Sequence, residues 1–241
     1  MNELLEGKTV FITGSARRIG HFLALAAAEM GADVIIHHNN SQQDAENTAE
    51  KINLMGKKAW VVKADLSHPE KAKEIIVEYW KEKPLYALVN NAAIFESVKF
   101  HDTNKASWDM HMNINLTAPF LLSQAFAQFL DRNKGKIINI LDWRALRPGK
   151  DHFPYTISKA GLASLTKSTA LSLAPNIQVN AIALGAILPP ADGGDDNIIK
   201  MVPAGRWANI IEVQKTFQFL LTSPEYITGE IIHIDGGRHL V

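Results

Sequence analysis

The chain has 241 residues, 46% hydrophobic and 21% charged, the make-up of a globular protein long enough to bury a sizeable core. Its 25 basic and 25 acidic residues cancel, leaving no global field for nucleic acid or a membrane surface. It has no cysteine, which excludes disulfides, thiolate catalysis and cysteine-ligated metals.

Apolar runs then alternate with helical patterns along the whole chain. Strands are expected at 8–13, 32–37, 58–63, 85–90, 135–141, 177–182 and 231–234. Helices are expected at 21–30, 45–54, 70–81, 107–129 and 155–173, with Gly31 and Gly56 placed to end the first two. Buried strands alternating with helices imply an α/β fold, a parallel sheet covered on both faces. No composition shift marks a second domain, so residues 1–241 read as one domain. The Pro-, Gly- and Asp-rich stretch 185–203 follows a strand's carboxyl end, where such sheets bind ligands, and reads as a substrate loop. Residues 1–8 lack an apolar signal core and no segment approaches a membrane span, so a cytoplasmic enzyme is expected.

The chemistry sits in a few short motifs. Gly14-Ser15-Ala16-Arg17-Arg18-Ile19-Gly20 follows the first strand. Gly14 permits a tight turn, Gly20 lets the next helix pack close, and the helix N-terminus then suits a pyrophosphate. Tyr155 and Lys159 are four apart and share a helix face, where an ammonium can favour the phenolate and suit tyrosine to proton transfer. Asp142 lies thirteen residues before Tyr155. The nine histidines show no metal-binding spacing, so no metal is expected.

Together these motifs resemble the short-chain dehydrogenase/reductase family, with its single Rossmann-type doubly wound sheet. Aspartate at 142, where that family usually has serine, resembles its pteridine reductase branch. The resemblance extends to Asp65-Leu66 after the third strand, where relatives bind adenine, although a helix N-cap is the plain reading of Asp65. It covers Asn91-Ala92-Ala93 after the fourth strand, and Asn115, the family's helix-kinking asparagine that holds a proton-relay water. It also covers Gly185 and the Asp235-Gly236-Gly237 turn.

Two further features refine the expectation. Arg18 replaces the family's middle glycine, and His37-His38-Asn39-Asn40-Ser41 ends the second strand without an acid. NAD-preferring sites place Asp or Glu there to grip the ribose hydroxyl. NADPH is therefore the expected cofactor, with Arg17, Arg18, Ile19, His38, Asn40 and Ser41 around the turn and the phosphate. Phe95, four residues after Asn91, matches the phenylalanine that stacks on pterin in pteridine reductases. Trp143, His152 and the 188–190 turn are expected pocket wall. The resemblance implies an NADPH-dependent reductase of dihydropterin or dihydrofolate, built as a homotetramer through the helix of Tyr155. A carbonyl reductase, such as a 3-oxoacyl thioester reductase, and an idle nucleotide-binding sensor are the alternatives.

Overall fold

Each strand is a short run of buried apolar residues, as a sheet covered on both faces requires. The structure, a computed structural model, describes residues 4–81, 83–188 and 197–241. Seven strands form one sheet: β1 (Thr9–Ile12), β2 (Asp33–His38), β3 (Ala59–Lys63), β4 (Leu85–Asn90), β5 (Gly135–Asp142), β6 (Ile177–Leu184) and β7 (Ile231–Ile234). Their order is β3-β2-β1-β4-β5-β6-β7, every pair parallel. The order reverses between β1 and β4, and that switch point opens a crevice at the strands' carboxyl ends.

Helices α1 (Arg18–Glu29), α2 (Gln42–Leu54), α3 (Pro69–Trp80), α4 (Lys105–Met112), α5 (Ala118–Leu130), α6 (Phe153–Leu173), α7 (Asn197–Lys200) and α8 (Ile210–Thr222) follow in chain order. One core packs Leu23 and Ala27 of α1 with Phe217 and Leu221 of α8 against Val10, Ile12 and Ile36. The other packs Trp80 and Phe126 against Phe11, Ile35 and Leu88.

The expected helix at 107–129 is not continuous. Asn113–Thr117 forms a π-helical turn between α4 and α5, centred on the buried Asn115. α8 has no counterpart among the expected elements. Its signal was Asn209, whose side chain accepts from the first turn while Glu212 reaches back to the Asn209 N–H, a reciprocal cap.

A buried polar chain ties the centre of the sheet to α6. Asn90 Nδ2 donates to Asn139 Oδ1 at 2.8 Å, and Asn139 Nδ2 donates to Thr166 Oγ1 at 2.9 Å. Paired buried amides of this kind fix register, because any slip strands them without partners.

Candidate active site

Gly14 turns the chain out of β1 at φ +61°, and a Cβ there would lie 2.9 Å from Ala92 Cα. A Cβ on Gly20 would lie 2.2 Å from the Gly14 carbonyl oxygen and 2.6 Å from Asn91 Nδ2. Only glycine fits at either position. Asn91 Nδ2 donates to the Thr13 and Gly14 carbonyls, while Thr13 Oγ1 accepts from the Asn91 and Ala92 N–H groups. The end of β4 is thereby bolted to the glycine turn. Arg18, at the family's middle-glycine position, adopts the left-handed conformation, φ +53°.

A cavity of about 670 Å³ opens beside this turn. It brings together Gly14, Arg17, Arg18, Ile19 and Gly20 with Asn91, Ala93 and Gly185. It also gathers Phe95, Asp142, Trp143, His152, Tyr155 and Lys159. Both described ends of the 185–203 stretch line it, through Ile187 and Leu188 on one side and Met201 and Val202 on the other. Pro189, Pro190 and the rest of that stretch up to 196 lie outside the described residues. Asp151, Trp207 and Arg238 also line the cavity. As single residues scattered over three segments, they carried no sequence motif.

Other expected cofactor residues stand apart from this cavity. Asn40 is exposed and Ser41 half-buried at the end of β2. Asp65 accepts from the Ser67 N–H, and the cap position of α3 belongs to His68. Leu66 is buried in the core. His38 corrects the expectation: its ring is 2% exposed, both nitrogens buried without partners, so its side chain cannot reach a cofactor. His37 is the structural member of the pair. Its Nδ1 accepts from the Gly14 N–H at 2.9 Å, so Nε2 carries the proton and donates to the Ala64 carbonyl at 3.1 Å. Burial pushes His37 down to about 4, so the ring is neutral at neutral pH.

The expected catalytic residues sit at the mouth of β5 and the start of α6. Pro154 occupies the first turn of α6, where its missing N–H costs nothing. Tyr155 and Lys159 are buried one turn apart, with Lys159 Nζ 5.9 Å from the Tyr155 ring centre and donating to the Ile140 carbonyl at 2.7 Å. Burial lowers Lys159 to about 8, against the opposing pull of Asp142. Burial also raises Asp142 above the usual carboxylate range, partly offset by the Arg144 N–H, which donates at 2.8 Å, and by the Arg144 and Lys159 charges. The Tyr155 hydroxyl and the Asp142 carboxyl are near enough that each shifts the other's protonation. Here the structure reverses an expectation. Burial, then the nearby Asp142 carboxylate, push the Tyr155 phenol well above its usual range. The neutral phenol is favoured, because burial and the aspartate together outweigh the opposing Arg144 charge.

Around these groups, Phe95 is 53% exposed, stacks on His152 at 3.9 Å between ring centres, and meets Tyr155 edge-on at 4.7 Å. Asn115 lies deeper. Its Oδ1 accepts from the Ile94 N–H, and its Nδ2 donates to the Ile94 carbonyl and Ser158 Oγ.

A family model described as enoyl-(acyl carrier protein) reductase matches residues 14–239. The 2-dehydro-3-deoxy-D-gluconate 5-dehydrogenase of Bacillus subtilis is 35% identical, over 97% of this chain and 95% of its own. The 3-oxoacyl-acyl-carrier-protein reductase FabG of Staphylococcus epidermidis is 30% identical, over 97% and 99%. Among solved structures, FolM alternative dihydrofolate reductase 1 from Brucella canis, complexed with NADP, superposes with a TM-score of 0.86. It is 34% identical, over 99% of this chain and 96% of that one. The chain belongs to the short-chain dehydrogenase/reductase family of oxidoreductases.

Proposed function

We propose that the protein is an NADPH-dependent reductase that transfers hydride to a pterin-type substrate, dihydropterin or dihydrofolate. The observation that carries this reading is the Asp142 carboxyl, which shares the cavity lining with Tyr155 where a carbonyl reductase would present a neutral donor. A carboxylate beside a developing oxyanion is repulsive, whereas beside a heterocycle it accepts ring N–H groups. The likeness to FolM supports the same reading.

The residues at the glycine turn fit the cofactor. Gly14 leaves room for a backbone to approach, Arg17 and Arg18 offer cations, and the end of β2 carries no acid to repel a 2′-phosphate. Bound NADPH supplies the hydride. Lys159 has two N–H bonds beyond the one to Ile140 with which to hold a ribose. Tyr155, held as the phenol, donates a proton to the substrate nitrogen, and Asp142 accepts from ring N–H groups and helps return the proton to Tyr155. Asn115 supports the π turn and, through it, a relay water. Phe95 offers a flat face to a planar ring.

Carbonyl reduction is the second reading, favoured by the gluconate dehydrogenase and FabG relatives. We place the protein in the cytoplasm as a homotetramer joined through α6, whose Ile157 and Leu171 are exposed apolar residues. NADPH oxidation measured against dihydropterins, dihydrofolate, keto sugar acids and 3-oxoacyl thioesters tests the function. Turnover confined to the carbonyl compounds removes the pterin reading. Sedimentation as a monomer at micromolar concentration removes the tetramer.

A further inference from the structure

The far wall of the cavity is cationic. Two guanidinium groups lie over Trp143, Arg144 at 4.7 Å and Arg238 at 4.8 Å from its ring centre. Arg147 joins them, its Nη1 donating to the Arg238 carbonyl at 3.4 Å. These residues come from two segments distant in sequence, the turn after β5 and the turn after β7. Arg144 is partly neutralised by Asp151, Nη2 to Oδ2 at 3.1 Å, and its Nε is buried without a partner. Among the described residues, neither Arg147 nor Arg238 has a carboxylate within ion-pair distance. Arg238 gives one hydrogen bond to the Met201 carbonyl at 2.7 Å and another to its sulfur, leaving three N–H groups uncommitted. Burial and the two neighbouring arginines push its guanidinium down from its usual range, the mark of like charges gathered without a counter-ion.

Two guanidinium groups at one aromatic ring, with a third arginine beside them, repel one another, and a shared anion relieves that repulsion. Arg is suited to this, since its fork matches a carboxylate in two hydrogen bonds. We propose that the substrate is an organic carboxylate, its acid group held by Arg238 at the cavity wall, with the Arg147 charge behind it, while the reacting ring or carbonyl lies by Tyr155. Trp143 is the platform beside which the Arg238 fork is held. This rests on the cavity being the reductase's substrate site. A folate-type tail and a sugar acid both carry the required carboxylate.

The test compares matched pairs: dihydrofolate against dihydrobiopterin, which lacks the carboxylates, and 5-ketogluconate against the neutral keto sugar. The acid of the active pair should have the higher kcat/KM. Arg238→Ala should cut that acid-over-neutral ratio about ten- to a hundredfold, the scale of a lost charge-assisted hydrogen bond. Arg238→Lys should restore part of it. Arg147→Ala, at an exposed position, should lower the ratio less and guards against a folding defect at 238. Rising salt should raise the KM of the acid selectively. Dependence on Arg238 with sugar acids and no pterin turnover would sustain the carboxylate site and discard the pterin reading. Equal kcat/KM for acid and neutral pterin, unmoved in both variants, would discard the carboxylate site and leave the pterin reading standing. Weakened NADPH binding with an unmoved ratio would assign the cluster to cofactor phosphate and likewise overturn the proposal.

Discussion

At the scale of single residues, the proposed chemistry turns on Tyr155 and its neighbour Asp142. A general acid must hold its proton at working pH, and burial plus Asp142 ensure that Tyr155 does. Tyr155→Phe should retain cofactor binding and lose turnover by about 10²–10⁴-fold. Wild-type turnover in that variant would remove tyrosine from the mechanism. Asp142→Ser should lose pterin reduction and gain activity on simple carbonyls, since a neutral donor then faces the oxyanion. Asp142 also holds up the Lys159 ammonium, which titrates at about 8. Activity that needs this ammonium falls as pH rises through about 8. Removing the carboxylate should move that alkaline limb to lower pH, and a pH profile of the carbonyl activity of Asp142→Ser reads it directly.

At the scale of elements, His37 couples the glycine turn to the loop after β3 through two hydrogen bonds that only the neutral ring can make in this geometry. Its folded value of about 4 lies below the usual 6.5, so the unfolded chain takes up the proton first as pH falls. The stability held by the neutral ring is therefore complete above about pH 6.5 and lost on the way down to about 4. A difference of that size corresponds to about 3 kcal/mol. His37→Gln keeps a donor and an acceptor without the titration, so its urea-unfolding stability should fall less between pH 7 and 4.5. Equal losses in the two proteins would clear His37 of the effect. The same turn explains why Arg18 is best tested as Arg18→Gly. Glycine tolerates φ +53° and removes only the charge.

At the scale of the whole molecule, the cavity sets cofactor choice. NADPH should bind more tightly than NADH, and Arg18→Gly should weaken NADPH by about ten- to a hundredfold with little change for NADH. Equal dissociation constants for the two cofactors by titration would refute the preference. The sheet, its parallel strands and the motif set from Gly14 to Gly237 were legible in the sequence, because short apolar runs, glycine turns and i, i+4 spacing are local signals. The break in the 107–129 helix was only half legible. Asn115 stood out as a residue, but the π turn follows from its bonds to Ile94 and Ser158, twenty-one and forty-three positions away. His38 and His37 were indistinguishable as neighbours in sequence. Their burial, and the choice of His37 as the ring that braces Gly14, depend on what packs over β2. The direction of the Tyr155 shift was likewise decided in three dimensions, where burial and a nearby carboxylate outweigh the Arg144 charge. The arginine cluster at Trp143 had no sequence signature, since Arg144 and Arg147 meet Arg238 only because β5, β6 and β7 lie side by side and deliver their following turns to the same end of the sheet.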